Sequence, residues 1–337
     1  MIDLRSDTVT RPTPPMLEAM TSAEVGDDVL GEDPTVTALE TNIAQRFGHE
    51  AGLFCPSGTM TNQIALQVHM RPGDEVICSA LAHIYLYEGG GIAANAGASA
   101  RLMQGERGMF SVDDARAAIR ADDPHYPRTR LIALEDTCNR GGGITWPVDD
   151  ISAMRQLADD HALALHLDGA RVFNRLVARG EDARIYGQLY HSISICLSKG
   201  LGAPVGSVLV GNADFIAQAR RVRKRLGGGM RQAGYLAAAG QYALDHHVDR
   251  LVEDHRRAAR IAEALDGVSG VAHVWSPETN IVIGTLAEGV EPGQWLDQLK
   301  QAGVLAGRSG PGQIRMVTHL DVDDDDVAQV CRALQHM

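Results

Sequence analysis

Of the 31 basic residues in the chain only three are lysines, and one of those stands at the end of an apolar run. His191 to Leu197 reads as a buried strand, Ser198-Lys199-Gly200-Leu201-Gly202 as the small-residue loop that follows, and Gly206 to Gly211 as a second apolar run leaving the same place. Burial lowers the pKa of an amine and so makes it a better nucleophile toward a carbonyl. Glycines beside it let a large flat ligand approach the backbone. Lys224 and Lys300 fall on segments that read as helix surface, which leaves Lys199 as the lysine placed like a Schiff-base former. A structural lysine at a strand end is the plain alternative.

Four other stretches have the residue types to work beside an amine. Leu163 to Leu167 is an apolar run that delivers Asp168 and, three residues on, Arg171. A carboxylate deep at a strand end needs a cationic partner, either a protonated ring nitrogen of a cofactor or Arg171 itself. Ala51 to Cys55 runs into Pro56-Ser57-Gly58-Thr59 and then a helix, the order that turns free N–H groups and the Ser57 and Thr59 hydroxyls toward a phosphate. It lacks the GK[ST] of a P-loop, and a plain N-capped helix would read the same way. His83 follows the strand Glu75 to Ser79, at the edge where open α/β sheets bind ligands. Arg315 interrupts an apolar strand, Gln313 to Leu320, and so is expected to point into a cleft. A metal set of His161, His166 and Asp168 is disfavoured, because His161 belongs to the preceding helix; no metal site is expected.

These groups need an α/β scaffold to bring them together. Strands alternate with helices as far as about residue 250, and from about Gly267 the rhythm changes to strand, strand, helix, strand, helix. The expectation is a large domain over residues 1–250, with a mostly parallel central sheet flanked by helices, and a smaller α+β domain over 251–337. A composition of 45% apolar and 22% charged residues is that of a globular protein, and a net charge of −12 argues against nucleic-acid or anionic-membrane partners. The five cysteines form no CxxC pair, and with no signal segment the chain reads as a cytoplasmic protein with reduced thiols. The basic run Arg220 to Arg225 is a solvated face, or else meets a phosphate or a subunit neighbour. A Schiff-base lysine, an aspartate for a pyridinium nitrogen, a phosphate turn and arginines for a carboxylate together describe a pyridoxal 5'-phosphate (PLP) site.

The chain resembles the low-specificity L-threonine aldolases, PLP-dependent lyases of the aminotransferase-like fold type I. The resemblance runs nearly end to end through Asp3-Leu4-Arg5-Ser6-Asp7-Thr8-Val9-Thr10, Val25-Gly26-Asp27-Asp28-Val29, Pro56-Ser57-Gly58-Thr59, Leu167-Asp168-Gly169-Ala170-Arg171, Cys196-Leu197-Ser198-Lys199-Gly200-Leu201-Gly202, Gly227-Gly228-Gly229-Met230-Arg231-Gln232 and Val317-Thr318-His319-Leu320. It implies that Lys199 holds PLP, that Asp168 binds its ring nitrogen, that Ser57, Gly58 and Thr59 take the phosphate and that His83 stacks on the ring. It further implies that Ser6, Arg171 and Arg315 bind the substrate carboxylate and that His125 sits near the β-hydroxyl. Lys224 and Arg231 would reach the phosphate side of an active site shared between the subunits of a homo-oligomer, a tetramer built as a dimer of dimers.

The implied reaction is reversible retro-aldol cleavage of L-threonine or L-allo-threonine to glycine and acetaldehyde. The β-hydroxyl proton goes to His83, His125 or a water held by the phosphate. A related β-eliminating lyase or an aminotransferase is the runner-up. Two positions depart from the family's pattern. Leu30 stands where tyrosine is usual, and Glu135-Asp136-Thr137-Cys138-Asn139 replaces Glu-Asn-Thr-His-Asn.

Overall fold

Seven short apolar runs pair into the central sheet of the computed structural model, which describes residues 1–337. They are β1 (Ala51–Cys55), β2 (Asp74–Ser79), β3 (Ser99–Met103), β4 (Arg128–Glu135), β5 (Ala164–Gly169), β6 (Ser192–Cys196) and β7 (Ser207–Gly211). Their order across the sheet is β1-β7-β6-β5-β4-β2-β3. All run parallel except β7, which is antiparallel to both neighbours. The mostly parallel sheet expected from the sequence is therefore present, with β7 as the return strand after the lysine loop.

Burial on both faces explains why the strands other than the edge strand β3 read mostly as continuous apolar runs rather than as alternating ones. Along β1, Phe54 packs into the main core with the helices Pro34–Arg46 and Gly234–His246, while Leu53 and Cys55 face the helices Gly58–His69 and Ala213–Arg225. The main core holds 39 buried residues. Because β4, β5 and β6 are parallel, their last residues come out on one edge: Glu135 lies opposite Asp168, and Asp168 opposite Ser194. The loops at that edge carry the chemistry.

The second unit is a four-stranded antiparallel sheet of β8 (Val271–Trp275), β9 (Ile281–Leu286), β10 (Gly307–Arg308) and β11 (Gln313–Val317), in the order β10-β11-β9-β8. The helices Leu251–Leu265, Pro292–Gln301 and Asp324–Gln335 contribute to its core of 18 buried residues. The acidic run at 321–326 caps the last of these helices, with Asp323 accepting from the Asp326 N–H at 2.9 Å and Asp324 paired with Arg256 and Arg257. Ile2 and Leu4 belong to the same core, and Ile2–Asp3 pairs in parallel with Val304–Leu305. Val317 donates its N–H to the Leu4 carbonyl at 2.8 Å. The first residues of the chain are thus stitched into its last unit, and the polar segment after them is drawn over the edge of the large sheet. No helix is long and apolar enough to cross a membrane.

Leu4 is fully buried, so Leu4→Ala should lower the unfolding free energy by about 2–5 kcal/mol. Equilibrium denaturation measures this, and an unchanged midpoint would mean that the opening segment is not held in that core.

Candidate active site

The lysine loop is closed by its own backbone. Leu197 N–H bonds the Gly206 carbonyl at 3.0 Å, Ala203 N–H the Leu197 carbonyl at 3.1 Å, and Gly202 N–H the Lys199 carbonyl at 2.8 Å. Gly202 has φ of +80°, and a Cβ there would meet Leu320 at 2.8 Å, so the turn requires glycine. Thr10 Oγ1 donates to the Lys199 carbonyl at 3.0 Å, which ties the loop to the N-terminal segment. The amine itself lies 3.3 Å from Cys196 Sγ.

Cys196 also marks where the phosphate turn comes in. A Cβ on Gly58 would fall 2.5 Å from its sulfur, so only glycine lets the start of the helix Gly58–His69 close against the end of β6. Ser57 Oγ caps that helix by accepting from the Met60 N–H at 3.2 Å. No acceptor in the chain takes the N–H groups of Gly58 or Thr59, and the side chains of Ser57 and Thr59 face solvent. Free N–H groups, two hydroxyls and a positive helix end make an anion site, and Cys196 lies against both it and the amine.

Asp168 is buried at the end of β5 and accepts from Asn62 Nδ2 at 2.9 Å. The same nitrogen donates to Glu88 Oε1 at 2.8 Å, and Glu88 also accepts from Gln63 Nε2 at 2.6 Å and from His83 Nδ1 at 2.9 Å. A carboxylate only accepts, so Nδ1 of His83 is the nitrogen that donates to Glu88, and Nε2 makes no hydrogen bond within the chain. Burial pushes the pKa of His83 down, but Glu88, Asp168 and Glu135 outweigh it and raise the value above normal. Glu135 accepts the backbone N–H groups of His83 at 2.7 Å and Asn139 at 2.8 Å. Its own pKa is raised to about 7 by burial and by the charge of Asp168.

Two arginines belong to the same region. Arg171 donates Nε to Asp7 Oδ2 and Nη2 to Asp7 Oδ1, both at 2.7 Å, with both side chains buried. Burial alone would raise the pKa of Asp7. The Arg171 charge and hydrogen bonds, with Lys199 and Asn280 behind them, instead hold it at about 2. Arg315 donates Nη1 to Asn139 Oδ1 at 2.8 Å and Nη2 to the Arg5 carbonyl at 3.1 Å, while its buried Nε has no partner. Burial and the neighbouring Arg171 lower its pKa. Ser6, half-buried, caps the turn Asp7–Val9 by accepting from the Thr8 N–H at 3.2 Å.

Lys199, Ser57, Gly58, Thr59, His83, Asp168, Arg171, Arg315 and Ser6 therefore lie on the loops at one sheet edge and the segments packed against it. Three other sequence candidates do not join them within the chain. His125 is exposed and bonds Asp123 at 2.7 Å, on the loop that enters β4. The eight residues of β4 put that loop about 23 Å from Glu135. Arg231 pairs with Asp27 at 2.7 Å in the loop that also carries the exposed Leu30, and Lys224 is exposed on the helix Ala213–Arg225. Of the basic run, Arg223 is internal, donating to the Phe54 carbonyl and pairing with Asp28 at 2.8 Å. Cys138 is buried, its thiol pushed well up, and Asp136 is buried between Arg175 and Tyr186. Asp7, Asn62, Glu88 and Glu135 carry the geometry without having been given a role from sequence. Only their polarity marks them there, because each partner lies far along the chain.

The residues fit PLP. The phosphate turn closes only because Gly58 has no side chain, a buried carboxylate waits at the end of β5 beside β6, and a buried arginine nitrogen is left without a partner. Fold and site together are those of the PLP-dependent α/β enzymes. The profile of the beta-eliminating lyase family matches residues 3–288. The low specificity L-threonine aldolase of Escherichia coli O157:H7 is 45% identical over 331 residues, spanning 98% of this chain and 97% of its own. The probable low-specificity L-threonine aldolase 2 of Arabidopsis thaliana is 44% identical over 336 residues, spanning 98% and 95%. The solved Leishmania major threonine aldolase shares the fold with a TM-score of 0.86 at 21% identity, over 100% of this chain and 99% of that one. The chain belongs to the beta-eliminating lyase family, alongside the low-specificity L-threonine aldolases.

Asp7→Asn strands a buried guanidinium and should cost about 3–5 kcal/mol at neutral pH. Because the folded pKa lies below the ordinary 3.8, the stabilising charge is fully present above that value and is lost as pH falls toward about 2. The difference between wild type and Asp7→Asn in denaturant titrations should narrow over that window. A difference independent of pH would mean that Asp7 is not the charged partner of Arg171.

Proposed function

We propose that the chain cleaves L-threonine and L-allo-threonine, and other β-hydroxy-α-amino acids, to glycine and the matching aldehyde, with PLP held as a Schiff base on Lys199. The observation that carries this reading is the convergence on Lys199. The phosphate turn abuts its strand through Gly58 and Cys196, Asp168 ends a neighbouring strand, and the Arg171–Asp7 pair lies beside its loop. Identity of 44–45% over nearly the full length to threonine aldolases supports the substrate class.

Bound PLP supplies the electron sink for the pair released when the Cα–Cβ bond breaks. The protein's part is orientation and proton handling. Asp168 would face the ring nitrogen and favour its protonated form. Arg171, pre-aimed by its two bonds to Asp7, has Nη1 free for the substrate carboxylate, and Arg315 has its buried Nε. Fixing the carboxylate fixes which bond of Cα stands perpendicular to the ring, and so selects cleavage of Cα–Cβ. His83, with Nδ1–H committed to Glu88, offers Nε2 to the β-hydroxyl proton, and its raised pKa strengthens it as a base. His125, Lys224 and Arg231 would serve a site only across a subunit boundary, in a cytoplasmic homotetramer whose active sites are shared.

Acetaldehyde release from L-threonine, L-allo-threonine and the D-isomers, measured by a coupled assay on PLP-loaded enzyme, tests the reaction. Rapid release from the L-isomers is expected. Formation of 2-oxobutanoate and ammonia from L-threonine without acetaldehyde would make it a β-eliminating enzyme instead. Lys199→Ala should abolish the absorbance of lysine-bound PLP, and retained absorbance would mean another lysine carries it. Arg315→Ala should raise KM about tenfold or more, and an unchanged KM would remove Arg315 from the carboxylate site.

A further inference from the structure

Between the helix Gly58–His69 and the strands β5 and β6 runs a buried polar seam that the reaction itself does not use. Here Thr61, Asn62 and His69 of the helix meet Ser194, Asp168, His166 and Ser192 of the strands. Every group in it has a defined partner. Asn62 Nδ2 lies within 2.9 Å of two carboxylates, which sets the amide so that its oxygen faces His166 Nε2 at 3.1 Å. An amide oxygen only accepts, so His166 must carry its proton on Nε2. Burial depresses the pKa of His166 to about 4, so the ring is neutral, and its Nδ1 accepts from Ser192 Oγ at 2.8 Å. Ser192 Oγ in turn accepts from His69 Nε2, also at 2.8 Å; burial holds the pKa of that ring at about 3. Thr61 Oγ1 closes the upper end, bonding the Gly58 carbonyl at 2.8 Å and Ser194 Oγ at 2.6 Å.

The seam has one direction: His69 to Ser192, to His166, to Asn62, to Asp168. It also spans two ends of one ligand site. The helix that presents Gly58 and Thr59 to a phosphate is the helix that presents Asn62 to the carboxylate meant for a ring nitrogen. We infer that Asn62, His166 and Ser192 are positioning residues that lock the phosphate helix to Asp168, fixing the distance between the two ends of PLP and the orientation of the Asp168 carboxylate. The inference rests on the PLP reading of the site and deepens it. A hydroxyl, a neutral imidazole and an amide in series do this without adding charge, so Asp168 keeps its own for the ring nitrogen. Partners of this outer kind characteristically govern affinity by about 10–100-fold when removed, the magnitude known for residues that orient metal ligands.

The test is His166→Phe, which keeps a flat ring of similar volume and removes both hydrogen bonds, with His166→Gln as the conservative variant, since its amide nitrogen can still donate to Asn62. Two readouts are taken: the dissociation constant of PLP from protein stripped and titrated back, and the ¹⁵N resonance of ring-labelled PLP on the protein. The expected result for His166→Phe is a dissociation constant raised about tenfold or more, with the ring nitrogen shifted toward the neutral pyridine position, and recovery of both in His166→Gln. A folded His166→Phe with wild-type affinity and an unmoved resonance overturns the inference. Should His166→Phe fail to fold, Ser192→Ala cuts the same seam by a single hydroxyl. It supports the inference if both readouts move in the same direction and overturns it if neither does. Wild-type protein that takes up no PLP would sink both this inference and the parent reading. Wild type that binds PLP but releases no acetaldehyde would sink the proposed reaction alone, and the seam would still be judged by affinity and resonance.

Discussion

A carboxylate with no access to water stays charged only if the protein replaces what water supplied, and Asp7 is the point where this chain meets that demand. Its two oxygens take the fork of Arg171, and Asn280 adds a third donor at 3.3 Å. Those three residues come from the opening segment, the end of the large sheet and the second unit. The ion pair is therefore also a joint. It holds the N-terminal segment over the lysine loop, where a Cβ on Gly200 would stand 4.0 Å from Asp7 Oδ2. It also leaves Arg171 aimed and partly unspent. Desolvating such a pair is expensive, and the near-ideal bidentate geometry offsets that cost.

The rest of the site follows from parallel strands ending together. Three consecutive sheet neighbours, β4, β5 and β6, deliver Glu135, Asp168 and the lysine loop to one edge. Packing carboxylates this closely makes their charges compete. The protein resolves this by giving each its own donors or a share of one: Asn62 serves both Asp168 and Glu88, backbone N–H groups serve Glu135, and Gln63 and His83 complete the set for Glu88. The outcome is a graded set, with Glu135 raised to about 7 and His83 above its usual value, on the side where a proton would be moved.

Most of the scaffold was legible from local pattern. The apolar runs that became β1, β5 and β6, the turn at Ser57-Gly58-Thr59 and the glycines around Lys199 each announce themselves within a few residues, because strand period and turn chemistry are short-range properties. Lys199 stood out by scarcity as well as by place. Asp7, Asn62 and Glu88 did not, since a polar residue in a polar or helical stretch looks like surface until its partner arrives. Asp7 and Arg171 are 164 positions apart, and Asn62 and Asp168 are 106 apart. Arg315 is intermediate: its interruption of an apolar strand flagged a cleft, but Asn139 and Arg5 as its partners are facts of the fold.

The amino-acid sequence by itself determined the class of scaffold and singled out Lys199, Asp168 and the turn at Ser57-Gly58-Thr59, because each stands out in the spacing of neighbouring residues. Tertiary structure alone decided that Arg171 is held by Asp7, that Asn62 joins the helix Gly58–His69 to Asp168 and that His83 is tied through Nδ1 to Glu88. It also decided that His125 sits at the far end of β4 from the rest. Burial and hydrogen-bond direction depend on which distant segments are brought to one edge, and no local pattern encodes that.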